Sequence, residues 1–138
     1  MAKKGVYVAA GSKPQYWAFG DRFRFLITGD ESGGSYSALE VVVTPDNGPG
    51  PHTHSDAEEQ FYVLEGTLTF QVGDQTFQAS AGDFIHIPRG TVHSFTNSHL
   101  PAKLLAIYAP AGDEKLFLDH GQLIGEHPAP ATPDGADE

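Results

Sequence analysis

A chain of 138 residues is the size of one domain, and with 39% hydrophobic residues it can bury a core of its own. Eight Lys and Arg against 18 Asp and Glu give a formal charge of −10, which argues against nucleic acid or an anionic membrane as the main partner. With no cysteine, it has neither a disulfide framework nor a thiolate ligand.

The opening stretch, MAKKGVYVAAGSK, carries a small basic patch but no apolar run sufficient for a signal peptide, and no segment approaches a membrane span. A cytoplasmic protein is expected. Beyond it, 16 Gly and 10 Pro punctuate short runs rich in Val, Ile, Phe, Tyr and Thr, the pattern of an all-β sandwich or barrel. Strands are predicted at 6–9, 16–19, 22–27, 35–43, 60–64, 67–72, 75–78, 84–87, 93–96 and 102–108. The GDESGG stretch at 29–34 reads as a loop. So does TPDNGPGP at 44–51, whose prolines restrict the backbone just before His52.

Glu65-Gly66 and Gly73-Asp74 have the chemistry of tight hairpin connections. Between them Leu68, Phe70 and Val72 alternate with Thr67, Thr69 and Gln71, so one face of that strand packs. DEKLFLD at 113–119 is the one good helical candidate, with Asp113 and Glu114 suited to its first turn. Leu116, Phe117 and Leu123 would give it an apolar face, for packing on the barrel rather than for a lid. Residues 1–125 are read as one domain and 126–138, acidic and Pro-rich, as a disordered tail.

Chemistry concentrates between Gly48 and Asn97. In His52-Thr53-His54 the imidazoles are two apart, and in an extended chain such side chains share a face. Glu59 follows after a turn's length, and His93 must come from another strand. Imidazole and carboxylate suit a divalent first-row metal ion, whether iron, manganese, nickel, cobalt, copper or zinc, and four ligands leave positions open. Glu59 is preferred to Glu58 because facing Glu59 inward brings Phe61 and Val63 with it, whereas Glu58 would bring Gln60 and Tyr62. Stepping two residues from the ligands places Phe61 and Phe95 as candidate pocket walls, or as plain core. His86 is a further candidate contact to substrate or to a ligand if Phe84 faces inward, and faces out if Ile85 and Ile87 take the core side. His99, His120 and His127 read as surface residues.

These residues resemble the two signature motifs of the cupin superfamily. The first family motif runs Gly, five residues, His-x-His, three or four residues, Glu, six residues, Gly. His52, His54, Glu59 and Gly66 match it, with Asp46 where the first glycine is usual and Gly48 and Gly50 close by. The second runs Gly, five residues, Pro-x-Gly, two residues, His, three residues, Asn, and Gly82, Pro88, Gly90, His93 and Asn97 match every position. The resemblance implies a single-domain jelly-roll β-barrel (a double-stranded β-helix) with a metal in its mouth, here with a short C-terminal helix appended.

It is closest to the quercetinase-like, flavonol-cleaving cupins, which implies a dioxygenase acting on an apolar or aromatic small molecule. There Glu59 would be both metal ligand and catalytic base. The alternatives are a non-redox metal enzyme, isomerase or lyase, on a sugar or keto acid, or a non-catalytic small-molecule-binding module. A homodimer is expected, because the first two predicted strands carry Tyr7, Tyr16, Trp17 and Phe19, more aromatic surface than a monomer usually exposes, and dimeric cupins point the same way.

Overall fold

The computed structural model describes residues 4–124 apart from 46, 49, 55 and 98–100. In chain order the strands are β1 (Gln15–Ala18), β2 (Asp21–Ile27), β3 (Ser37–Val43), β4 (Glu58–Glu65), β5 (Thr67–Val72), β6 (Gln75–Ser80), β7 (Phe84–Ile87), β8 (His93–Thr96), β9 (Ala102–Ala109) and β10 (Gln122–Leu123). A one-turn helix α1 (Gly29–Ser32) sits between β2 and β3, and α2 (Glu114–His120) between β9 and β10. The architecture is the expected all-β jelly roll.

All the pairings between strands are antiparallel. One sheet has seven strands in the order β10-β1-β2-β3-β9-β4-β7, and the other three in the order β6-β5-β8. Alternation decides what lies between them. Leu68, Phe70 and Val72 of β5 are buried while Thr67, Thr69 and Gln71 stay exposed. In β9, Ala102, Leu104, Ala106 and Tyr108 are buried and alternate with half-buried residues. Inner residues of both sheets form one core, including Leu39, Val41, Val43, Phe61, Val63, Phe70 and Phe95. Phe61, Phe70 and Phe95 close on one another with ring centroids 5.2–5.4 Å apart, so aromatic packing locks the sheets together at the floor of the barrel. Such pairs contribute about 0.5–1.5 kcal/mol each beyond area burial.

Three elements differ from the sequence reading. The run at 6–9 has strand composition but forms no strand: no described strand lies beside it, and Val6 and Tyr7 stay exposed. Part of GDESGG winds into α1, because Glu31 reaches back to the Thr28 backbone N–H and closes a capping box. β10, too short to read from sequence, pairs with β1, so β1 lies inside the large sheet, paired on both sides. The proposed tail at 126–138 lies outside the described residues, as do His99 and His127.

One glycine is fixed by close approach. Gly48 has φ 145°, a conformation that side chains disfavour, and a Cβ there would collide with the carbonyl of Phe95. This close packing lays the loop ahead of His52 against β8. Asn97 helps from the other side: its Nδ2 donates to the Val43 carbonyl at 2.9 Å, and its backbone N–H donates to Asn47.

Candidate metal centre

The first two histidines are placed by backbone bonds to the segment of the third. His52 and His93 exchange N–H to carbonyl hydrogen bonds at 2.9 Å in both directions, an isolated antiparallel bridge. The Gly90 N–H donates to the His54 carbonyl at 2.9 Å. The turn of the second motif thus holds the His-x-His of the first. Glu59 arrives on β4, where Glu59, Phe61 and Val63 are the buried set and Tyr62 is exposed, as the facing argument required. His93 and Glu59 are almost wholly buried, His52 and His54 partly so.

The donor atoms of His52, His54, Glu59 and His93 all lie within 4.8 Å of one another. Glu59 Oε1 stands 3.0 Å from His93 Nε2 and 3.5 Å from His54 Nε2. The outer nitrogens are engaged elsewhere. His52 Nδ1 lies 2.7 Å from the Gly50 carbonyl and His93 Nδ1 2.8 Å from the Thr91 carbonyl, each in position to donate its proton there. His54 Nδ1 lies 2.7 Å from Asp113 Oδ2, close but out of line for a hydrogen bond. With Nδ1 turned outward, Nε2 is left to face the centre.

A metal ion fits this set. His54 Nε2 is buried with no hydrogen-bond partner, and leaving a buried nitrogen unsatisfied costs about 1–3 kcal/mol. A cation among the four donors would take up that lone pair. Three neutral imidazoles and one carboxylate are a suitable donor set for a divalent first-row ion. Burial moves His52 below the ordinary imidazole range, favouring the neutral form that binds metal. Burial also pulls on His93, but its hydrogen bond to Glu59, the Thr91 carbonyl and the Glu59 charge outweigh it and raise its pKa.

The cluster opens onto a cavity of about 490 Å³ walled by Phe19, Phe23, Phe61, Phe95, Tyr108 and Phe117 among others. Phe61 and Phe95 are therefore wall and core at once. His86 is not: Ile85 and Ile87 take the inner face of β7, Phe84 and His86 point outward, and His86 Nδ1 meets Gln60 Nε2 at 3.2 Å on the outside. Period-two alternation offered both faces, and the branched Ile pair won the core. The described outlying histidine, His120, is exposed and lies beside Phe19.

Two residues at the centre escaped the sequence reading. Tyr108 sits directly opposite Glu59 across β4 and β9, with its phenol against the Glu59 carboxylate. Burial, then the Glu59 charge, pushes that phenol well above its ordinary range, so it stays protonated. Its position could have been found by extending the alternation of Ala102, Leu104 and Ala106 by one step. Asp113 had no such signal, since its proximity to His54 depends on where α2 lands.

The sequence profile of the cupin domain matches residues 39–108. The chain is 32% identical over 124 residues to a quercetin 2,3-dioxygenase of Bacillus subtilis, covering 83% of this chain and 36% of that protein. It is 30% identical over 102 residues to a quercetin 2,3-dioxygenase of Aspergillus japonicus, covering 69% of this chain and 29% of the other. The chain thus spans about a third of the length of these curated relatives. KdgF from a Halomonas species superposes with a TM-score of 0.73 at 16% identity, covering 81% of this chain and 99% of that one. An RmlC-like cupin from Shewanella frigidimarina gives 0.70 at 16% identity, covering 83% and 99%. At such identities the likeness is one of fold.

Proposed function

Because this chain belongs to the cupin family, we propose that it is a mononuclear metal-dependent dioxygenase acting on a flat, apolar, enolisable small molecule. His52, His54, Glu59 and His93 hold the ion. When bound, a first-row metal ion would polarise the oxygen of a coordinated enol or phenol and lower its pKa.

The chain's own residues supply the rest. Glu59 accepts the substrate hydroxyl proton, being the carboxylate that lies among the ligands and faces the cavity. Tyr108, kept protonated by burial and by the Glu59 charge, stands beside that carboxylate as a potential donor to it. Phe23, Phe61, Phe95 and Phe117 exclude water and favour a planar hydrophobic ligand over a sugar. The observation that carries the reading is the opening of a three-His, one-Glu cluster into an aromatic cavity. The similarity to two quercetin 2,3-dioxygenases supports it.

Elemental analysis of the purified protein, followed by oxygen consumption with a panel of flavonols, other phenols and diketones, tests it. Oxygen uptake with one of these is expected. Anaerobic turnover of a sugar or keto acid without oxygen uptake would replace it with the isomerase or lyase reading. Tight metabolite binding without turnover would make the protein a binding module. We also propose a cytoplasmic location, which a chain without cysteine suits.

We propose a homodimer as well. Exposed Val6, Tyr7, Tyr62, Phe77 and Phe84 give it apolar surface to bury. Light scattering at micromolar concentration should report twice the chain mass, and a monomer mass would end the idea.

A further inference from the structure

The three ring histidines differ in what stands behind them, and the difference matters if they hold a metal as proposed above. His52 and His93 each lean on a backbone carbonyl two residues away, from Gly50 and Thr91. His54 instead meets a carboxylate, Asp113 Oδ2, at 2.7 Å. That carboxylate comes from beyond β9, outside the segment matched by the cupin profile.

Asp113 stands at the N-cap position of α2, where an aspartate normally bonds the helix's own free N–H groups, yet its side chain makes no cap hydrogen bond. Its Oδ2 is buried without an aligned hydrogen-bond donor. So the carboxylate is withheld from its usual local task and turned toward His54. The neighbouring residue explains how it is held there. Glu114 is buried and accepts from the backbone N–H groups of Gly29 and Gly112, both at 2.7 Å. Glu114 thus pins the start of α2 to the barrel, and Asp113 is carried to the ligand.

We propose that Asp113 is a positioning residue for the metal centre: its carboxylate fixes His54 with Nδ1 outward and Nε2 toward the ion. The 2.7 Å separation puts Oδ2 within hydrogen-bond reach of the ring N–H. A carboxylate partner orients the ring more firmly than a carbonyl partner would, and such outer partners are worth about 10–100-fold in metal affinity. The helix that carries Asp113 also places Leu116 and Phe117 in the cavity wall. The C-terminal element therefore serves both the ion and the space in front of it.

The test uses the full chain stripped of metal, with Co²⁺ alone as the probe. Affinity is read by chelator competition and ligand geometry by the visible Co²⁺ spectrum, for wild type and for Asp113→Asn, Asp113→Ala and Asp113→Ser. Alanine and serine should weaken Co²⁺ binding about 10–100-fold and alter the spectrum. Asparagine should lose less, since its amide oxygen still accepts from Nδ1–H. Serine separates positioning from helix capping, because it can cap α2 but cannot reach His54. If serine keeps wild-type affinity while alanine loses it, capping is the cause and the proposal is wrong. It is also wrong if asparagine and serine both bind within about twofold of wild type with an unchanged spectrum, smaller than any outer-partner effect. If wild type itself binds no Co²⁺, the metal-centre reading fails first and this proposal falls with it.

Discussion

His93 Nε2 and Glu59 Oε1 stand 3.0 Å apart, although His93 belongs to the three-stranded sheet and Glu59 to the seven-stranded one. The candidate metal cluster is therefore assembled across the seam between the sheets, and it reports on their closure as well as on ligand chemistry. His93→Ala should reduce bound metal from one equivalent to a trace after dialysis, with the barrel still folded by far-UV circular dichroism. A full equivalent retained by that variant would remove His93 from the ligand set.

Glu59→Gln should keep the shape of the site but remove the proposed base. With a substrate identified, kcat should fall by about 10²–10⁴-fold, the usual contribution of a positioned acid or base. Measuring kcat at equal metal loading separates this from weaker metal binding. A rate within a few-fold of wild type would assign the proton to another group.

Tyr108→Phe removes one hydroxyl beside Glu59. Metal content should stay at one equivalent, because Tyr108 is no ligand. The value of kcat/KM should fall about tenfold or more, since a hydrogen bond to a charged group contributes about 1.5–3 kcal/mol. Steady-state kinetics with matched metal content checks it, and an unchanged value would make Tyr108 plain core.

Glu114 has a pKa below the ordinary 4.5: burial pushes it up, but the Gly112 and Gly29 N–H groups pull it down further. A carboxylate with a depressed folded pKa stabilises the fold above its unfolded pKa and loses that contribution as pH falls through the folded value. Glu114→Gln, which turns an amide donor toward backbone donors, should cost about 1–3 kcal/mol at neutral pH. The gap to wild type should narrow as the pH drops below 4.5, the ordinary value. Urea unfolding at a series of pH values measures it, and a gap independent of pH would show that the charge of Glu114 is not what matters.

Gly48→Ala should destabilise the protein by about 2 kcal/mol or more, because the φ of 145° and the Phe95 carbonyl together leave no place for a Cβ. Thermal unfolding checks this. An unaltered midpoint would mean that the loop ahead of His52 moves aside freely.

Legible in the order of residues alone is whatever depends on near neighbours along the chain. Period-two alternation locates β5, β7 and β8 to the residue, and the same period puts Glu59, Phe61 and Val63 on the inner face of β4. The spacing of His52, His54, Glu59 and His93 names the cluster, because extended geometry aims residues two apart at one point and the turn at Gly90 is local. Whatever depends on how the sheets close is set by tertiary packing. Whether His86 or Ile87 faces the core is settled by packing against the other strands, and 6–9 fails as a strand because a strand needs a partner that no local pattern supplies. The meeting of Asp113 with His54 and of Phe117 with Phe23 joins the C-terminal helix to residues far back in the chain. Nothing in either local stretch fixes such a distance; it follows from where β9 ends on the barrel and from Glu114 pinning the helix beside the site.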